Sequence, residues 1–392
     1  MFSLYLLKNP IQTSKFRNLA LISVVFGLLT FLPGTSKAIE VSAKQAILID
    51  FETGTELFKK NADELMSPAS MTKLMTVYLI FERLKDGRLS LDDELHVSRK
   101  AWKKGGSKMF VEVGKQVRVE DLIRGIVVQS GNDATIVIAE GLSGSEEAFA
   151  QEMTMKAREL GMSNSQFRNA SGWPDPEHRT TARDLAILTK ATIREFPDYY
   201  QYYAEGTFSY SGIKQSNRNP LLGRYKGADG LKTGYTENAG YGLTSSASKD
   251  GRRLILVLNG MPSEKVRKIE SQRLLDWGFR EFKNYELIKN NEEFASVSVW
   301  LGTDSHVPLL AKTDLLLTVA RRLRKTLRVT ISHDEPISAP IKKGTELGEM
   351  TISIAERKPI KIPLIAGKDI ERLGPSGRIP AALSYLLWGA SK

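Results

Sequence analysis

The sequence predicts an α+β fold: an antiparallel sheet with helices packed on it and a mostly helical subdomain, followed by a small all-β domain. Three observations predict it. Two strand-like segments near residues 46–60 are followed by helical periodicity, and three more strand-like segments return between residues 230 and 258. From about Tyr285, short Val-, Ile- and Leu-rich segments alternate with turn residues. The 392 residues exceed one compact domain of ordinary size.

In chain order, the amino terminus reads as an export leader. Lys8, Lys15 and Arg17 precede a mostly apolar run from Leu19 to Leu32, and small residues Ser36 and Ala38 place a cleavage site after Ala38. The run is short for a membrane span, which needs about 20 apolar residues; a retained anchor is the alternative. The expected organisation is a signal peptide at 1–38, a sheet-and-helix domain at 39–284, an all-β domain at 285–374 and a terminal tail at 375–392.

Ala46–Glu52 and Glu56–Lys60 read as strands joined by a turn at Thr53-Gly54. After Ser67-Pro68, Met71, Leu74, Met75, Tyr78 and Leu79 recur at helical spacing. Further helices are predicted at 119–128, 133–141, 145–160, 181–196 and 265–282, and strands at 230–233, 240–247 and 253–258. The all-β domain is predicted from segments at 295–301, 315–319, 328–331, 349–354 and 358–364, with the junction near 282–292. In the tail, Ile379, Leu383, Leu386 and Leu387 share one helical face, with Tyr385 and Trp388 nearby and Arg378 and Lys392 at the ends. That pattern suits a helix lying on a membrane surface, or one docked on the protein itself.

Composition narrows the chemistry. The chain has no cysteine, which excludes disulfides, thiolate metal sites and a cysteine nucleophile. The net charge is +11; Lys8, Lys15, Arg17 and Lys37 of the leader carry four of those charges, leaving +7 for residues 39–392. A basic exported protein associates with anionic lipid or acidic wall polymer. No nucleic-acid-binding signature is present. No His-x-x-x-His pair, histidine cluster or phosphate-cradling glycine loop occurs, so no metal and no cofactor are expected.

Three short motifs carry the chemistry: Ser70-Met71-Thr72-Lys73, Ser130-Gly131-Asn132 and Lys232-Thr233-Gly234. Each is ordinary alone. Ser211/Lys214 and Ser246/Lys249 repeat the first spacing, but in a polar loop and near a strand end. Ser70 is expected at a helix start, with Lys73 on the same face and free backbone N–H groups close by; an ordinary N-cap serine is the plain alternative. Ser130 and Asn132 lie between two predicted helices, where they also suit capping. Lys232 and Gly234 are expected on one face of a strand.

In this order, the three motifs resemble the active-site set of penicillin-binding proteins and serine β-lactamases. Ser67–Lys73, Val127–Ala134 and Asp229–Thr236 are closest to the low-molecular-mass D-alanyl-D-alanine carboxypeptidases, the type-5 penicillin-binding proteins, and the resemblance runs from about Ala43 to Arg280. It implies a β-lactamase/transpeptidase-like fold and removal of the terminal D-alanine from peptidoglycan stem pentapeptides through a Ser70 acyl-enzyme. It also implies β-lactam antibiotics as inhibitors and a periplasmic protein peripheral on the cytoplasmic membrane through its tail.

In that reading Lys73 is the base and must be neutral, its pKa lowered from about 10.4 by burial and by Lys232. The resemblance assigns Ser130 to proton relay, Asn132 to Lys73 and the substrate amide, and Lys232 and Thr233 to the substrate's terminal carboxylate. Gly234 would leave room for substrate backbone, and the backbone N–H groups of Ser70 and Tyr235 would form the oxyanion hole. Tyr235 stands where the family often has histidine, and Arg218 and Arg267 align with arginines near the substrate carboxylate. The alternatives are a class A-like β-lactamase, a D,D-endopeptidase and a non-catalytic wall-binding protein. Against the first, no glutamate between Ser130 and Lys232 has asparagine four residues on.

Overall fold

The computed structural model describes residues 39–334 and 336–388; the predicted leader lies outside them. In chain order the elements are β1 (Gln45–Asp50), β2 (Glu56–Lys60), α1 (Lys73–Lys85), β3 (Glu94–His96), α2 (Arg99–Lys103), β4 (Gln116–Arg118), α3 (Val119–Val127), α4 (Asn132–Ser143) and α5 (Glu146–Glu159). Then come α6 (Ala182–Glu195), α7 (Pro197–Tyr200), β5 (Thr207–Tyr210), β6 (Ile213–Ser216), β7 (Ala228–Thr236), β8 (Gly240–Lys249), β9 (Arg252–Met261) and α8 (Glu264–Glu281). The last part holds β10 (Phe282–Ile288), β11 (Glu293–Trp300), β12 (His306–Ala311), β13 (Leu315–Ala320), β14 (Arg328–His333), β15 (Ile337–Ser338), β16 (Glu346–Ser353), β17 (Ile360–Ala366) and α9 (Pro375–Trp388).

The first sheet has the order β2-β1-β9-β8-β7, all antiparallel. β1 is buried along its whole length, which explains why its sequence opens as a continuous apolar run rather than an alternation. α1 is apolar nearly all round, and such a helix must be covered on every side; Leu74, Met75, Tyr78, Ile80 and Phe81 are all buried. It forms the centre of a core shared with Ile126, Ile136 and Phe149 of the helical part and with Leu231 and Val257 of the sheet. Four helices start on serine or threonine caps: Ser98, Ser145, Thr181 and Ser263 each accept a backbone N–H three residues on.

β10 follows α8 directly and pairs with β13. The six-stranded sheet β14-β16-β17-β12-β11-β15 encloses its own core around Val297, Leu309, Met350, Ile362 and Leu364. The fold class read from the sequence is the one observed. β10 and β12 were not expected. β10 straddles the residues read as a junction, and in β12 Pro308 interrupts the apolar pattern. Polar contacts tie the first sheet to the β10–β13 pair: buried Asp50, which accepts from Arg252 of its own sheet at 2.7 Å, also accepts from Asn284 of β10 at 3.1 Å, and the hydroxyls of Thr53 and of Thr318 in β13 lie 2.6 Å apart.

Candidate active site

Ser70 stands not on the helix but in the tight 3-10 turn Ala69–Thr72 that precedes it, and the helix begins at Lys73. Ala69 has φ +47°, a conformation costly for a residue with a side chain, and the neighbours hold it there. On one side a Cβ placed on Gly172 would come within 1.7 Å of the Ala69 carbonyl oxygen; on the other, a Cβ on Gly234 would come within 2.8 Å of the Pro68 oxygen. Gly172 and Gly234 therefore let a loop and β7 close on the turn. The space expected beside Gly234 for substrate is taken up by Pro68 and Ala69, because on this face the strand abuts the turn itself.

Lys73 is fully buried. Its Nζ lies 3.0 Å from Ser70 Oγ, 2.8 Å from Asn132 Oδ1 and 2.6 Å from the Ser171 carbonyl oxygen. Burial, then the positive charges of Lys232, Arg218 and Lys104, hold its pKa well below the usual lysine value, with Asp133 opposing. A neutral amine fits this environment: two N–H groups donate to Asn132 and Ser171, and its lone pair accepts the Ser70 hydroxyl proton.

The second motif forms the far wall. Ser130 has φ +68° and is buried, and its Oγ has no hydrogen-bond partner among the described residues. Asn132 is fixed from both ends, its Nδ2 donating to the Gly105 carbonyl at 2.9 Å and its backbone N–H to the Ser107 carbonyl at 2.7 Å. The motif does not cap α4 through a side chain. Asp133, beside the motif and without a role expected for it, is wholly buried and accepts from the N–H groups of Met109, Phe110, Val111 and Ala134. It thereby seals the 105–111 loop against Asn132.

β7 contributes the third motif. Lys232 is buried and donates to the Thr233 carbonyl at 3.3 Å; burial first, then Arg218 and Arg267, push its pKa down to about 7. Thr233 is buried beside it. Tyr235 is half-exposed and its ring packs on Tyr241 at 4.3 Å, while the buried Arg267 lies over Tyr241 at 5.5 Å. Arg267 Nε makes no hydrogen bond among the described residues, and Glu264 stands 3.5 Å from its Nη2. Arg218 is exposed and donates to Ser107 Oγ at 2.7 Å.

Two features had no sequence signal. Asn169 Oδ1 accepts from the backbone N–H groups of Ser171, Gly172 and Trp173, fixing the loop that offers its carbonyl to Lys73. His178, outside all three motifs, is buried with Nε2 2.8 Å from Thr72 Oγ1, and its Nδ1 accepts the Arg168 N–H at 3.2 Å. That bond fixes the neutral Nε2–H form, and burial lowers the ring's pKa to about 4. In contrast, Ser211 lies on the turn between β5 and β6, and Ser246 is bonded to Arg253 within the sheet.

Residues 33–263 match the model of a peptidase family described as D-alanyl-D-alanine carboxypeptidase, more than half of the chain. The chain belongs to that family. Residues 282–372 match the C-terminal domain of penicillin-binding protein 5. The chain is 38% identical over 353 residues to the D-alanyl-D-alanine carboxypeptidase DacC of Escherichia coli, covering 88% of each chain. Crystal structures of penicillin-binding protein 5 from Haemophilus influenzae superpose with a TM-score of 0.74 at 34% identity, covering 85% of this chain and 99% of that one. Penicillin-binding protein D2 of Listeria monocytogenes, solved in its ampicillin-bound form, has a TM-score of 0.57 at 31% identity, covering 62% of this chain and 98% of that one. As a D-alanyl-D-alanine carboxypeptidase the chain is a serine-type hydrolase. The loop facing its Lys73 presents a carbonyl, and among the described contacts no carboxylate touches Lys73 or Ser70.

Proposed function

We propose that this carboxypeptidase removes the terminal D-alanine of peptidoglycan stem pentapeptides through an ester on Ser70. The observation that carries the reading is the 3.0 Å contact between Ser70 Oγ and a buried, cation-flanked Lys73. Neutral Lys73 takes the Ser70 proton as the oxygen attacks the carbonyl between the two D-alanines. Ser130 passes a proton to the departing amine as the C–N bond breaks, and water then hydrolyses the ester. Asn132 orients Lys73 and the substrate amide. Lys232, Thr233, Arg218 and Arg267 receive the terminal carboxylate. Gly234 sets the strand against the nucleophile's turn. The N–H groups of Ser70 and Tyr235 stabilise the oxyanion, each such donor worth ~10²–10³ in rate.

β-Lactams acylate the same serine. An exported location follows from the leader, and the tail rests on the outer face of the cytoplasmic membrane. Supporting the latter, Ile379 and Leu383, one turn apart on α9, are 67% and 53% exposed. Among the described residues no helix is long and apolar enough to cross a membrane. Mass spectrometry after penicillin treatment tests the assignment together with D-alanine release from a model pentapeptide. An adduct on any residue but Ser70, or no D-alanine, would refute it.

A further inference from the structure

We propose that Lys104 and Trp173 form a second anion subsite, on the acyl side of Ser70, for a carboxylate-bearing residue upstream of the two D-alanines. The inference rests on the carboxypeptidase reading above. Trp173 immediately follows Ser171-Gly172, the loop that meets Lys73, and its side chain is 44% exposed. Its ring lies on the Gly105-Gly106 backbone: a Cβ on Gly106 would stand 3.2 Å from one ring carbon and 2.7 Å from Asn132 Nδ2. The indole is thus the next surface beyond Asn132, the residue placed at the substrate amide. Lys104 Nζ sits 4.3 Å from the centre of that ring.

Two facts point to a ligand rather than to a structural pair. No carboxylate among the described residues pairs with Lys104. From Leu95 to Val111 the chain carries Arg99, Lys100, Lys103, Lys104 and Lys108 and no acidic residue; Lys100 pairs with Glu146 and Glu147, and no carboxylate among the described residues pairs with the other four, so this rim keeps a net positive charge. Lys104 is not among the cations assigned to the terminal carboxylate, which are Lys232, Arg218 and Arg267, although it and Arg218 both act on Lys73.

The backbone that carries Trp173 is pinned from both ends. Asn169 accepts the Trp173 N–H at 2.9 Å and donates to the Trp173 carbonyl at 2.9 Å. A cation over an indole face keeps its N–H groups free on the outer side. The ring beneath accommodates the methylenes of an acidic side chain, and the ammonium donates to its carboxylate.

The test uses two peptides ending in D-Ala-D-Ala that differ only at the preceding residue, one acidic and one its neutral amide. The wild-type chain is expected to prefer the acidic peptide. Lys104→Met is expected to lower the ratio of kcat/KM values, acidic over neutral, about tenfold. Trp173→Leu should lower the ratio in the same direction, and added salt should lower it in the wild type. An unchanged ratio in an active, penicillin-labelled Lys104→Met protein would overturn the subsite alone, as would a wild-type chain indifferent to the acidic residue. Failure of the wild type to release D-alanine from either peptide would overturn the carboxypeptidase reading with it.

Discussion

The carbonyl oxygen of Ser171 lies 2.6 Å from Lys73 Nζ, closer than either side-chain partner of that amine. A backbone acceptor can orient the amine but cannot take a proton from water. The loop therefore helps acylation and offers nothing to speed deacylation of a drug. Asn169 holds this carbonyl in place through three backbone N–H groups. Asn169→Ala is expected to cut kcat for D-alanine release about tenfold or more, equivalent to about 1.4 kcal/mol of barrier, with a smaller change in KM. Steady-state kinetics on a pentapeptide checks this. A change in KM alone would assign Asn169 to binding.

Lysine titration sets the pH dependence. Lys73 must be neutral and Lys232 charged, and Lys232 loses its proton near 7 in the free enzyme. The kcat/KM profile is expected to be a bell whose alkaline limb belongs to Lys232, within a coupled pair. Lys232→Arg retains the charge at every accessible pH, so that limb should move up beyond about pH 10. The acylation rate of a labelled penicillin across pH reads the limb directly. Stability follows the same lysine with a definite sign. The unfolded chain takes up its proton near 10.4, the folded chain near 7, so stability is lost as pH falls through that window.

His178 gives an acid-side counterpart. Its pKa is about 4 in the folded chain and about 6.5 unfolded. The unfolded chain therefore binds the proton first, and stability falls as pH drops from 6.5 toward 4, by about 3 kcal/mol at most. Protonation at Nδ1 would also set an N–H against the Arg168 N–H, while the Nε2–H contact with Thr72 is kept. His178→Gln is expected to flatten this acid slope. Urea unfolding at pH 7.5 and 4.5 measures it, and an unchanged slope would show that other groups govern acid unfolding.

Much of the catalytic wall was legible because each motif keeps its reactive side chains within a few residues: Ser70 and Lys73 across one turn, Ser130 and Asn132 on one loop. The element order was legible because apolar periodicity changes between 3.6 and 2 where α1 and the β7–β9 strands begin. What was not legible depends on contacts between distant segments. The Ser171 acceptor is a backbone atom and leaves no mark in residue type. The left-handed Ala69 is imposed by Gly172 and Gly234, more than 100 residues away in sequence. His178 carried no local signal, because its partner, Thr72, lies 106 residues back. β12 was hidden by Pro308 and its mixed pattern.

Asp133 shows how a positioning carboxylate separates from a catalytic one. It receives four backbone N–H groups and no water-facing atom remains, so it holds Met109–Val111, and with them the Gly105 and Ser107 carbonyls, against Asn132. Asp133→Asn keeps the shape but turns an NH2 toward those donors; a loss of about 3 kcal/mol is expected by denaturant unfolding. Removing the charge has a second consequence of opposite direction on chemistry. Asp133 is the group that favours protonated Lys73. Its neutralisation should therefore move the acid limb of the acylation profile to lower pH even as the maximum rate falls. A lower rate with an unmoved acid limb would mean that the Asp133 charge does not reach Lys73, and that only its scaffold role is real.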